Sequence, residues 1–110
     1  MKCYAFTINL KDDPEVIRQY DAYHRAVPPA VIEYARKRGI VRSKIFRLGR
    51  HLFMFIETTN DFQPSGGLVP RVQDDPEVRE FEGLMRTLQE KLPGAGADEW
   101  WARMQLVHEF

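Results

Sequence analysis

The same helix-start signal stands twice in this chain, as Asp13-Pro14-Glu15 and as Asp75-Pro76-Glu77. An aspartate offers an oxygen to the free N–H groups of a first helical turn. A proline there has no N–H to leave unpaired, and its φ is already helical. A glutamate one residue on suits the positive end of the helix dipole. Behind the first signal Val16, Tyr20, Tyr23 or His24, and Val27 recur at helical spacing. Behind the second Val78, Phe81, Leu84 or Met85, and Leu88 do the same, which predicts an amphipathic helix ending near Pro93-Gly94. Pro28-Pro29 interrupts the first helix, because a proline disfavours helical angles at the residue before it. A second piece restarts on Pro29 and runs through Val31, Ile32 and Ala35 to Gly39.

Strand periodicity fills the remaining space. Tyr4, Phe6, Ile8 and Leu10 alternate with Ala5, Thr7 and Asn9, the pattern of a half-buried strand. Val41–Leu48 and His51–Thr58 read as a hairpin turned at Gly49-Arg50. The second of those strands is apolar on both faces. Asn60–Arg71, with Pro64, Gly66-Gly67 and Pro70, is expected to be a long loop, and Trp100–Phe110 a last strand. The order β-α-β-β-α-β, with its first helix broken, gives a single α+β domain over residues 1–110. Its expected form is the ferredoxin-like split-βαβ sandwich: a four-stranded antiparallel sheet with helices on one face. The other face then needs a cover from outside the chain, a second subunit or a ligand.

Composition removes whole classes of function. Sixteen basic residues balance sixteen acidic ones, although residues 1–55 carry eleven against five and residues 56–110 the reverse. Seven cations fall between Arg36 and Arg50 with no aromatic platform interleaved, so that cluster reads as a solvated face and not as a nucleic-acid platform. No apolar run is long enough to span a membrane, and the first residues lack the features of a secretion signal. One cysteine, Cys3, forms no internal disulfide and suits a reducing cytoplasm; flanked by apolar residues, it reads as core packing.

The chain carries no phosphate-binding glycine loop, no nucleophile elbow and no zinc-binding HExxH motif. Its histidines, His24, His51 and His108, are far apart, with no metal-ligand spacing. His51 reads as a surface residue at a strand end, and His108 as partly buried in the last strand. Tyr20 and His24 are the more informative pair, since i, i+4 spacing puts both rings on one helix face. Imidazole as a side-chain type exchanges protons near neutrality, and a phenol beside it adds a directional O–H. Two readings of that pair stay open, an aromatic packing stripe and a proton-transfer site. Trp100-Trp101, if in a strand, point to opposite faces, one into the core and one onto the open face.

The runs CYAFTINLKDDPEVIRQYDAYHRAV, IFRLGRHLFMFIET, DDPEVREFEGLM and WWARMQLVHEF resemble the L-rhamnose mutarotase family, nearest to its L-fucose branch. The likeness runs over nearly the whole chain, and tyrosine, three residues, then His-Arg-Ala-Val is its most specific mark. It implies a homodimeric ferredoxin-like protein of the dimeric α/β-barrel type that interconverts the anomers of a 6-deoxy-L-sugar without a cofactor or metal. By the same likeness His24 and Tyr20 are catalytic, while Trp101, Tyr4 and Arg86 bind the sugar. Pro28-Pro29-Ala30 stands where the family reads W-P-E, Phe81 and Arg86 where the branch carries tryptophans, and Gln63–Arg71 where relatives are more helical. A sugar- or small-ligand-binding module without catalysis, on the same scaffold, is the rival reading. A cofactor-free monooxygenase is a third.

Overall fold

The computed structural model describes residues 1–64 and 75–110. The greater part of the loop expected over Asn60–Arg71, and of the Gln63–Arg71 departure, lies outside the described residues. In chain order the elements are β1 (Lys2–Leu10), α1 (Pro14–His24), α2 (Pro29–Lys37), β2 (Ile40–Leu48), β3 (His51–Thr58), α3 (Pro76–Leu88), β4 (Gln89–Glu90) and β5 (Ala102–Arg103). The strands are antiparallel in the order β2-β3-β1-β4, and β5 pairs with β1 beside β4. This is the ferredoxin-like α+β arrangement, with the fourth strand position shared by two short pieces.

Both helix starts form as their sequences dictate. Asp13 accepts the Glu15 N–H at 2.9 Å and Asp75 the Glu77 N–H at 2.8 Å, each with proline at the first helical position. α1 stops at His24, three residues short of Val27. Where α2 turns into β2, Gly39 has φ +99°, and a Cβ there would lie 2.5 Å from Thr59 Oγ1. Only glycine meets both conditions.

Alternation along β1 and β3 settles where the core lies. Phe6, Ile8 and Leu10 are buried beside Leu52, Met54 and Ile56, under the apolar stripes of the helices. Ile8, Leu10 and Ile56 are wholly removed from water, each worth about 1.5–3 kcal/mol of burial. On the reverse face, Phe53 pairs across β3–β2 with Phe46 at 6.0 Å between ring centres, and both rings are exposed, as is Leu48. No described residue covers them.

Four expectations need correction. α3 ends at Leu88, not near Pro93, because Gln89 leaves the helix to pair with Leu10 and is itself buried. The last strand shrinks to Ala102–Arg103, with one further bond from Met104 N to Ala5 O at 2.8 Å. Beyond it no strand among the described residues pairs with the chain, and residues 104–110 are exposed, including His108, which was expected to be partly buried. Cys3 is also exposed, not packed in the core. Among the described residues no helix is long and apolar enough to cross a membrane.

Candidate active site

Between the helices and the sheet lies a cavity of about 670 Å³, within the range of small-molecule sites. Leu52, Met54 and Ile56 of β3 line it from the sheet, and Tyr20, Asp21 and His24 of α1 with Phe81, Glu82 and Met85 of α3 line it from the helices. Gln89, Trp101, Arg36, Arg38 and Arg42 also border it.

The i, i+4 pair meets as its spacing requires. The Tyr20 and His24 ring centres are 4.2 Å apart, and Phe81 presents an edge to His24 at 6.0 Å. His24 Nδ1 lies 3.0 Å from the carbonyl oxygen of Tyr20. A carbonyl only accepts, so Nδ1 carries the hydrogen and Nε2 is the nitrogen left for chemistry. His24 is half-buried, so that nitrogen works in a site only partly open to water.

Tyr20 is buried, and desolvation pushes its phenol well above the ordinary range. A hydrogen bond from the Gln89 side chain partly offsets this, while the negative charges of Glu82 and Asp21 add to it. The phenol therefore stays protonated at any physiological pH. Asp21 is clamped by Arg47, with Nε to Oδ1 at 2.8 Å and Nη2 to Oδ2 at 2.7 Å. The guanidinium holds that carboxyl below its usual range. Two parallel bonds of this kind fix geometry as well as charge, and here they tie the C-terminal half of α1 to β2.

Glu82 behaves differently. It is half-buried, and burial lifts its carboxyl to about 7, with Arg86 only partly opposing the shift. Neither Glu82 nor Gln89 was singled out from the sequence. Glu82 lies in a charge-rich stretch, Arg79-Glu80-Phe81-Glu82, where only helical phase tells a cavity residue from a solvated one. Gln89 looked like one more polar residue late in a helix.

Of the residues expected to touch a ligand, Trp101 lines the cavity with Tyr20 and His24, whereas Tyr4 and Arg86 do not. Tyr4 packs on Phe62 at 5.6 Å beneath the Arg103 guanidinium. The Arg86 guanidinium lies over Trp100 at 4.7 Å. Trp100 and Trp101 do not divide between the faces of the sheet. Both sit half-buried in the bend before β5 and pack against the core, because strand pairing begins only at Ala102. His51 is exposed at the start of β3, with Nδ1 2.7 Å from Asn9 Oδ1 on the reverse face, away from the cavity. Among the described residues no group of three or more His, Cys, Asp or Glu is placed to hold a metal ion.

Comparison with known proteins points one way. The family model described as L-rhamnose mutarotase matches residues 3–110. A UPF0734 protein of Dictyostelium discoideum is 38% identical over 98% of this chain and 89% of its own length. An L-fucose mutarotase of Xanthomonas campestris pv. campestris is 33% identical over 92% of this chain and 82% of its own. The crystal structure of an L-rhamnose mutarotase from Formosa agariphila superposes with a TM-score of 0.65 at 17% identity, covering 100% of this chain and 97% of the other. Tetracenomycin F2 cyclase from Streptomyces glaucescens has a TM-score of 0.64 at 13% identity, over the same shares. At those identities the two structures speak for the fold alone.

Proposed function

Because the chain belongs to the L-rhamnose mutarotase family, we propose that it is a sugar mutarotase interconverting the α and β anomers of a 6-deoxy-L-sugar, L-fucose or L-rhamnose. Ring opening needs one proton delivered to the ring oxygen and one removed from the anomeric hydroxyl. The C1–ring oxygen bond breaks and C1 becomes an aldehyde. Rotation about C1–C2 then presents the other carbonyl face to the same hydroxyl, and closure returns both protons. Nothing is oxidised, so the proposed reaction takes no cofactor and no metal.

His24 is the proton-transfer residue of this proposal, acting through Nε2, and Tyr20 donates its O–H to a sugar oxygen. Trp101 offers an apolar ring to the C–H face of the pyranose. The observation that carries this reading is the single geometry of the pair: Nδ1 tied back at 3.0 Å, leaving the other nitrogen of a cavity-lining imidazole free. The protein is further proposed to be a cytoplasmic, single-domain homodimer, joined through the bare face that carries Phe46, Leu48 and Phe53. Nucleic acid and membrane have no part in it.

Exchange of anomer signals by NMR, with L-fucose and L-rhamnose in parallel, tests the enzyme. Accelerated exchange that falls by about 10²–10⁴-fold in His24→Ala supports it. No acceleration with either sugar, or full activity without the imidazole, overturns it. Saturable quenching of tryptophan fluorescence with no faster exchange would instead mark a ligand-binding module.

A further inference from the structure

Mutarotation moves two protons at two oxygens of one sugar, and His24 faces the cavity with a single available nitrogen. The same cavity is lined from α3 by a carboxyl. Phe81 of α3 sets its edge against the His24 ring, and Glu82, the next residue, lines the cavity that Tyr20 and His24 also line. Its charge is close enough to Tyr20 to make that phenol harder to ionise. We propose that Glu82 is the second proton-transfer group of this site, working with His24 and acting on the anomeric hydroxyl; the proposal rests on the mutarotase reading above.

Arg36 of α2 also borders the cavity, and most of the other neighbouring charges are engaged elsewhere. On α3 itself Arg86, one turn on, lies over the Trp100 ring and makes no ion pair with Glu82. On α1 the facing groups are Tyr20, Asp21 and His24, and Asp21 is held by Arg47 of β2. At the α2 end, Tyr34 borders the cavity and the Arg38 guanidinium lies over the Tyr34 and Phe62 rings. Arg42 of β2 faces Glu57 at 3.7 Å. Among the described residues Glu82 therefore has no hydrogen-bond or ion-pair partner. A half-buried carboxyl kept for structure alone is normally paired; one left uncommitted in a cavity and able to exchange a proton near pH 7 is what acid–base catalysis requires.

The proton count closes. Ionised Glu82 accepts the proton of the anomeric hydroxyl as protonated His24 gives one to the ring oxygen; the C1–ring oxygen bond breaks and C1=O forms. After rotation about C1–C2, the ring hydroxyl adds to the other face of the aldehyde. It returns its proton to His24, and Glu82 re-protonates the new anomeric hydroxyl. The enzyme ends as it began, with one proton shared between two groups.

Wild type, Glu82→Gln and Glu82→Asp are compared by NMR anomer exchange across pH, with sugar binding followed by tryptophan fluorescence. Glu82→Gln is expected to lower kcat by about 10²-fold or more, to leave sugar binding in place, and to remove the limb of the kcat–pH profile near neutrality. Glu82→Asp, which keeps the carboxyl, is expected to recover part of the rate and the limb. An active wild type with an equally active Glu82→Gln variant overturns the role of Glu82 and leaves the mutarotase reading standing. Loss of binding in step with loss of rate overturns it as well, in favour of a binding contact. A wild type that accelerates neither sugar removes the mutarotase reading and this role together.

Discussion

The indole N–H of Trp100 donates to Gln89 Oε1 at 2.7 Å. An indole N–H only donates, so the bond decides which end of the buried amide is the oxygen. The amide nitrogen is then the end that serves the Tyr20 hydroxyl, whose hydrogen bond with Gln89 favours its ionised form. Replacing Gln89 by Leu strands the indole N–H and frees the phenol to turn. The expected cost is about 1–3 kcal/mol in urea unfolding, with slower anomer exchange and an altered Trp100 emission. An unchanged emission spectrum would contradict the bond.

Glu82 makes a separate statement about stability. Its carboxyl is raised in the folded protein to about 7 from an ordinary 4.5. A raised acid favours the fold below its unfolded value, and that advantage is lost as pH climbs through the folded one. Glu82→Gln, which never ionises, should match wild type most closely near pH 4. It should gain on wild type between about pH 4.5 and 7 and then hold a constant lead of about 1–3 kcal/mol. Denaturant melts of both proteins at several pH values measure this directly.

Asp21 runs in the opposite sense. Its carboxyl is held below the usual range by Arg47, so the contribution is present above the ordinary carboxylate value and disappears as pH falls through the folded one. Arg47→Met should leave a fold that is less sensitive to acid than wild type. The sugar KM should rise more than kcat falls, because α1 loses its tie to β2 while His24 keeps its own hydrogen bond.

The reverse face offers a test of assembly. Phe46 and Phe53 are 56% and 37% exposed with their rings in contact, an apolar patch of the kind that associates. In the proposed homodimer, Phe46→Lys with Phe53→Lys is expected to give a monomer by light scattering. A wild-type monomer at micromolar concentration would count against the homodimer.

Legibility followed the range of the forces involved. Both helix starts could be read because Asp-Pro-Glu satisfies a helix terminus within a few residues, and Tyr20 with His24 because i, i+4 neighbours meet on any helix. The end of α3 could not be read: Gln89 is drawn out by Trp100, Tyr20 and the backbone of β1, all distant in sequence. Alternation over Trp100–Phe110 shows what would suit a strand, but pairing needs a neighbour, and past Met104 there is none among the described residues. Glu82 was hidden among charges that look alike until packing sorts them.

β3 serves two masters. Its even-numbered residues, Leu52, Met54 and Ile56, lie under the cavity, while Phe53 and Phe55 point the opposite way. Mutational drift at one parity reshapes what the pocket admits; drift at the other changes which surface the protein adheres to. Ligand choice and quaternary structure can therefore evolve on separate schedules along a single ribbon, and two proteins with this backbone can diverge in one while keeping the other.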